Sequence, residues 1–206
     1  YRSIFEFKEK GEYYKYIRSH EIRSLNGDRV RSYEECEIAN FFYLNGIAHE
    51  YERKYEFDTA TSKKKPYEPD FYLKDYGIYI EHFGIDRQGN TAEFVDQDEY
   101  HKGIEWKRKL HRKNETVLIE TFSYEKSEGI LIPSLKAKLE EHDVAFSPIP
   151  SEKIFERLNQ LGAVDKFSKL VGTFLNHFKS NKRSVGEIRE EIRDEENGAR
   201  LQAFLE

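Results

Sequence analysis

The stretch Tyr67 to Ile85, YEPDFYLKDYGIYIEHFGI, decides the fold. Phe71-Tyr72-Leu73 and Ile78-Tyr79-Ile80 have the aromatic and β-branched character of strands. Lys74-Asp75-Tyr76-Gly77 between them tolerates turn backbone angles, so the stretch reads as a hairpin. Asp70 opens the first strand after Pro69, and Glu81 follows the alternating run of the second. A hairpin brings the two carboxylates together. Like charges at that distance raise each other's pKa unless a cation neutralises them, and a hard divalent ion with oxygen ligands is the natural occupant. Carboxylates also flank strands as solubilising ends or edge guards, so the pair alone leaves both readings open.

Upstream, Ser32-Tyr33-Glu34-Glu35-Cys36-Glu37-Ile38-Ala39-Asn40-Phe41-Phe42 begins an amphipathic helix. Ser32 is an N-cap and Glu35, three residues on, completes a capping box. Ile38, Ala39 and Phe42 lie three, four and seven residues after Glu35, which places Glu35 on the buried face while Glu34 and Glu37 point elsewhere. Glu35 reads as a capping partner or as a third site carboxylate. Downstream, His101 to Glu115 (HKGIEWKRKLHRKNE) carries six Lys or Arg against two Glu. On a helical wheel Gly103, Trp106 and Leu110 share a face and Lys107 borders it near Ile104, so Lys107 can snorkel inward while Arg108 and Arg112 face solvent or phosphate. The strand Thr116 to Thr121 (TVLIET) follows, and a parallel pair joined by this helix fits the crossover from Glu81.

The order of acidic helix, strand, hairpin ending in Asp and then Glu, basic helix and strand resembles the PD-(D/E)XK nuclease superfamily, with its restriction-endonuclease-like fold. The family's motif Asp falls on Asp70, its motif Glu on Glu81 and its first-helix Glu on Glu35. Where the pattern has Lys two residues after the Glu, this chain has Phe83. In some members that lysine sits on the following helix, and the chain is similar to such domains inserted in or fused to UvrD/Rep-type, helicase IV-like superfamily 1 helicases. There the migrated lysine falls on Lys107, with Lys109 as the second choice. The resemblance covers about Val30 to Val144.

The resemblance implies an α/β fold: a restriction-endonuclease-like core at residues 30–146, a central mixed sheet flanked by helices. Helical N- and C-terminal extensions at 1–29 and 151–206 would pack against helicase sequence. It implies a Mg2+- or Mn2+-dependent deoxyribonuclease, endonuclease rather than exonuclease, serving DNA repair, recombination or defence. Catalysis would rest on Glu35, Asp70, Glu81 and Lys107, with metal on Asp70, Glu81, Glu35 and a backbone carbonyl of Ile80 or His82. The partners would be DNA and a helicase motor region. The alternative is an inactive nuclease-like module for DNA binding or helicase docking, which the absent lysine at Phe83 favours.

Composition agrees without deciding. The 206 residues, 35% charged and 15% aromatic, can hold one sizeable core. No stretch approaches a membrane span, no secretion signal is legible, and the single Cys36 excludes an intrachain disulfide and a cysteine zinc cage, so a cytoplasmic setting is expected. A net charge of −5 opposes indiscriminate DNA binding but allows a local basic groove. Candidates for backbone contact are Lys63, Lys64 and Lys65 before the hairpin, Arg87 in the polar loop Gly84 to Asp98, and Arg108, Lys109 and Arg112. Each also reads as ordinary solvated surface. No Gly-rich phosphate loop ending in Lys-Ser or Lys-Thr occurs, so no ATPase activity is expected of this chain.

After Ser147-Pro148-Ile149-Pro150 the pattern becomes purely helical. Ile154, Phe155, Leu158 and Leu161 form one apolar stripe, and Phe167, Leu170, Val171, Phe174, Leu175 and Phe178 another.

Overall fold

Strands β1 (Glu50–Tyr51), β2 (Phe71–Leu73), β3 (Ile78–Phe83) and β4 (Val117–Phe122) form one mixed sheet in that order in a computed structural model that describes residues 2–60, 65–181 and 187. The first three strands pair antiparallel, and β4 runs parallel to β3. The hairpin turn closes with Tyr76 and Gly77 N–H both donating to the Leu73 carbonyl, at 3.1 and 2.9 Å. Gly77 takes φ +66°, which glycine adopts without steric cost. Lys63 and Lys64 lie outside the described residues.

The parallel pair needs a crossover, and helix α3 (Gln97–Lys113) supplies it. Asp96 caps its first turn, accepting from Glu99 N–H at 2.8 Å, and His111, Arg112 and Lys113 fill the last turn where cations are favoured.

Side-chain alternation separates the sheet into two unlike faces. Phe71, Leu73, Ile78, Ile80 and Ile119 meet Ile38, Ala39 and Phe42 of helix α2 (Tyr33–Leu44) and Leu131, Leu135 and Leu139 of the later helix Leu131–Glu140 in one apolar core. A Phe71→Ala truncation there would cost about 3–5 kcal/mol. On the other face Tyr79 packs with Tyr55 and Tyr67 beneath Trp106 and Leu110, and Phe83 packs with Ile85 and Ile104. Gly46 closes α2 at φ +67°, where a Cβ would stand 2.6 Å from the Ser147 carbonyl oxygen, so this corner requires glycine.

Contacts divide the chain into two compact units, Tyr1–Ile154 and Phe155–Glu206. The first includes helix α1 (Lys10–His20), whose Tyr13 hydroxyl donates to the Arg31 carbonyl at 3.3 Å, and a bridge between Arg23 and Arg29. It also holds the short helix α4 (Ser123–Ser127), which the sequence pattern did not announce, and α5 (Leu131–Glu140). Helices α6 (Ser151–Gln160) and α7 (Ala163–Asn181) occupy the purely helical region, with Phe155, Phe167 and Leu170 more than half exposed at 56%, 59% and 61%. Among the described residues no helix is long and apolar enough to cross a membrane.

Candidate active site

The hairpin register places Phe71 opposite Ile80, so Asp70 and Glu81 are the next facing pair. The Asp70 carboxylate also accepts from His82 N–H at 2.7 Å, which ties the residue just before β2 to the end of β3. Asp70 is half-buried, whereas Glu81 is 1% exposed. Glu35, in the first turn of α2, is also buried. Its N–H donates to the Ser32 hydroxyl at 3.1 Å, but its carboxylate does not complete the expected box on Ser32 N–H. It accepts instead from Arg31 N–H at 3.0 Å, from the Ser32 hydroxyl at 3.1 Å and from the Tyr51 hydroxyl at 2.6 Å. Tyr51 on β1 pulls the side chain toward the sheet edge and away from a purely local cap.

Lys107 reaches in from α3 and pairs with Glu81. Its ammonium lies 5.3 Å from the Phe83 ring centroid and 5.7 Å from that of Tyr67. Phe83, buried at the point where the family pattern has its lysine, is thus part of the apolar floor beneath a lysine delivered from the helix. Lys109 is exposed and makes no such contact with Glu81.

A chain of donors fixes the other oxygen of Glu81. The Tyr67 hydroxyl donates to it at 2.7 Å and lies 3.1 Å from His111 Nε2. His111 Nδ1 is 2.8 Å from the Thr116 hydroxyl, which is 2.6 Å from that of Tyr55. Tyr67 has one proton and gives it to Glu81, so it accepts from His111 Nε2–H; His111 Nδ1 then accepts from Thr116, and Thr116 from Tyr55. This assignment needs a neutral imidazole, and burial, helped by the Lys107 charge, holds His111 down at about 4.

The electrostatics follow from three linked carboxylates, two of which, Asp70 and Glu81, share the Lys107 ammonium. Burial and then Asp70 push Glu35 up to about 8. The same two causes, opposed by Lys107, push Glu81 up to about 7. Asp70 is also raised by burial, while Lys107, the His82 N–H and Arg31 pull it back. Ionised together, the three acids exceed the local positive charge, and each protonates more readily for want of a cation. Arg31, at the rim, pairs with Glu52 at 2.6 Å and keeps its side chain 69% exposed.

A Mg2+ or Mn2+ ion here would have to draw on a small set of protein oxygens. Among the described residues no group of three or more His, Cys, Asp or Glu side chains converges as a ready metal cage. The carboxylate oxygens are instead turned to Tyr51, Tyr67, Ser32, Lys107 and backbone N–H groups. Mg2+ is commonly held by only one or two carboxylates, with waters and substrate phosphates completing its shell, and Asp70 with Glu81 provides such a pair. Both nitrogens of the His82 ring are engaged by hydroxyls, Nδ1 2.9 Å from that of Thr121 and Nε2 3.4 Å from that of Ser123.

The proposed DNA contacts divide. Arg87 forks onto Glu128 and its guanidinium carbon lies 4.5 Å from the Tyr124 ring centroid. Arg108, expected to face solvent or phosphate, forks onto Glu120 of β4 at 2.6 and 2.8 Å and also meets Glu105 at 2.7 Å. Lys65, Lys109 and Arg112 are exposed. The sequence reading missed Arg31, Tyr51, Tyr67 and His111. Tyr67 lay in plain view three residues before Asp70, but its role depends on a pairing 14 residues away.

No family model matches the chain, and no solved structure matches it. A stretch of 72 residues is 39% identical to an uncharacterized protein of Methanocaldococcus jannaschii, spanning 34% of this chain and 6% of that protein.

Proposed function

We propose that the chain is a Mg2+- or Mn2+-dependent DNA nuclease domain that hydrolyses phosphodiester bonds, a restriction-endonuclease-like module of the PD-(D/E)XK type. The observation that carries this reading is Lys107 arriving from α3 on Glu81, the strand partner of Asp70, with Glu35 interacting electrostatically with Asp70. The strand order, three antiparallel strands and then a helical crossover to a parallel fourth, is compatible with that fold. A helicase-linked setting in repair, recombination or defence belongs to the same proposal.

Asp70 and Glu81 would hold the ion, with the His82 carbonyl and Glu35 beside them. When bound, the ion supplies Lewis-acid charge to the scissile phosphate. Lys107 stabilises negative charge developing on the phosphate or positions the attacking water, its ammonium backed by the Phe83 and Tyr67 rings. Tyr67 orients Glu81, and Tyr51 orients Glu35.

The test is cleavage of labelled DNA by the purified chain in Mg2+ or Mn2+, with Asp70→Ala and Lys107→Ala as comparisons. Loss of cleavage in both variants supports the reading, and variants equal to the parent defeat it. A chain that binds DNA while neither cleaving it nor binding the ion would be the non-catalytic module.

A further inference from the structure

Beside Lys107 the first unit carries a cleft of about 640 Å3, within the ~300–1,000 Å3 range of ligand sites. Tyr13 and Tyr14 of α1, Phe94 and Tyr100 supply aromatic walls, and Phe83 and Lys107 line it too, so it adjoins the candidate active site. Tyr14 is 44% exposed. Tyr13 and Phe94 stack with centroids 5.9 Å apart at 29°, and the Tyr100 hydroxyl is fixed by Gly84 N–H at 2.8 Å, so the walls are braced from behind.

Resting on the nuclease reading, we propose that this cleft takes an unstacked nucleobase of single-stranded DNA adjoining the scissile phosphate. In a duplex the base faces are hidden by stacking, and a surface of aromatic rings offers nothing to a paired backbone; splayed bases of a single strand stack on such rings. Charge is arranged accordingly. Lys10 and Lys107 line the cleft and suit phosphates on either side of the base. Asp96 and Glu99, on the wall formed by the start of α3, repel phosphate but accept from base amino and imino groups. The base therefore occupies the cleft and the backbone runs past its mouth.

The experiment measures fluorescence anisotropy of the full chain with a labelled mixed-sequence single strand and with the matching blunt duplex, in EDTA so that neither metal nor cleavage enters. Tyr14→Ala should weaken single-strand binding about tenfold, the loss of one base stack, and leave duplex binding unchanged, while Tyr14→Phe retains the parent affinity. Photocrosslinking of a 5-iodouracil strand should map to Tyr14 or Phe94. Equal affinity of Tyr14→Ala and parent for the single strand, an equal loss on both DNAs, no binding of either DNA, or crosslinks confined elsewhere would overturn the proposal. Because the readout needs no metal, an active enzyme indifferent to Tyr14 sinks the base site alone, and a Tyr14-dependent binder that never cleaves sinks the nuclease reading alone.

Discussion

Two buried glutamates among the described residues pair with a lysine, and they differ in what surrounds them. Glu125, 4% exposed, accepts from Phe122 N–H at 2.9 Å, from the Ser134 hydroxyl at 2.5 Å and from Lys138 at 3.0 Å. Lys138 donates as well to the Glu120 carbonyl at 2.8 Å. One anion meets one cation with neutral donors filling the remaining positions, the arrangement expected of a buried pair that joins α4 to α5. Glu81 also has a lysine and a hydroxyl, but it shares Lys107 with Asp70, whose charge also bears on Glu35. The first pair is complete. The second holds more carboxylate charge than its one lysine offsets, and the proposed function places a cation there.

The contrast is broken most forcefully by Asp70→Asn. It should reduce metal-dependent cleavage by more than about 100-fold, a direct ligand mattering more than an outer-shell partner, while removing a like charge beside Glu35 and Glu81. Thermal stability should therefore hold or rise. A marked loss of Tm would make Asp70 a strut like Glu125.

The pH dependence of stability is the next largest effect. Glu35 and Glu81 titrate at about 8 and about 7 when folded, above the ~4.3 of an unfolded glutamate. Between those values the folded chain holds more protons than the unfolded one. The stability they contribute is fully present below about pH 4 and is lost as pH rises through 7 to 8. Urea midpoints of the metal-free chain should fall from pH 6 to pH 8.5, and Glu35→Gln should flatten the fall. Parallel slopes in parent and variant would count against the charge imbalance.

At the complete pair, Lys138→Ala strands Glu125 and should cost about 2 kcal/mol in urea unfolding, discounted because the lysine is partly solvated, with cleavage unchanged. Reduced cleavage at full occupancy of the folded state would erase the distinction. Smallest, Tyr67→Phe removes one donor to Glu81 and should lower cleavage about tenfold. An unchanged rate would show that Lys107 alone orients the carboxylate.

Much of this was legible in the sequence because it is local or periodic. The hairpin follows from its turn residues, the parallel crossover from a basic helix between two β-like runs, and the inward lean of Lys107 from its wheel position beside Ile104. What escaped was set by pairing across the sheet. Glu35 bonds Tyr51 because β1 lies alongside, Arg108 turns to Glu120 because β4 passes beneath α3, and the Tyr55-to-Glu81 donor chain joins segments that no period relates. Helix α4 is five residues long, too short for any apolar period to show.

The most direct measurement is calorimetric titration of Mn2+ into the full chain, its Asp70→Asn variant and its Lys138→Ala variant at pH 8. Saturable binding in the parent and in Lys138→Ala, abolished in Asp70→Asn, is the expected result. No binding in the parent, or equal binding in Asp70→Asn, would contradict the assignment of Asp70 and Glu81 as a metal-holding pair.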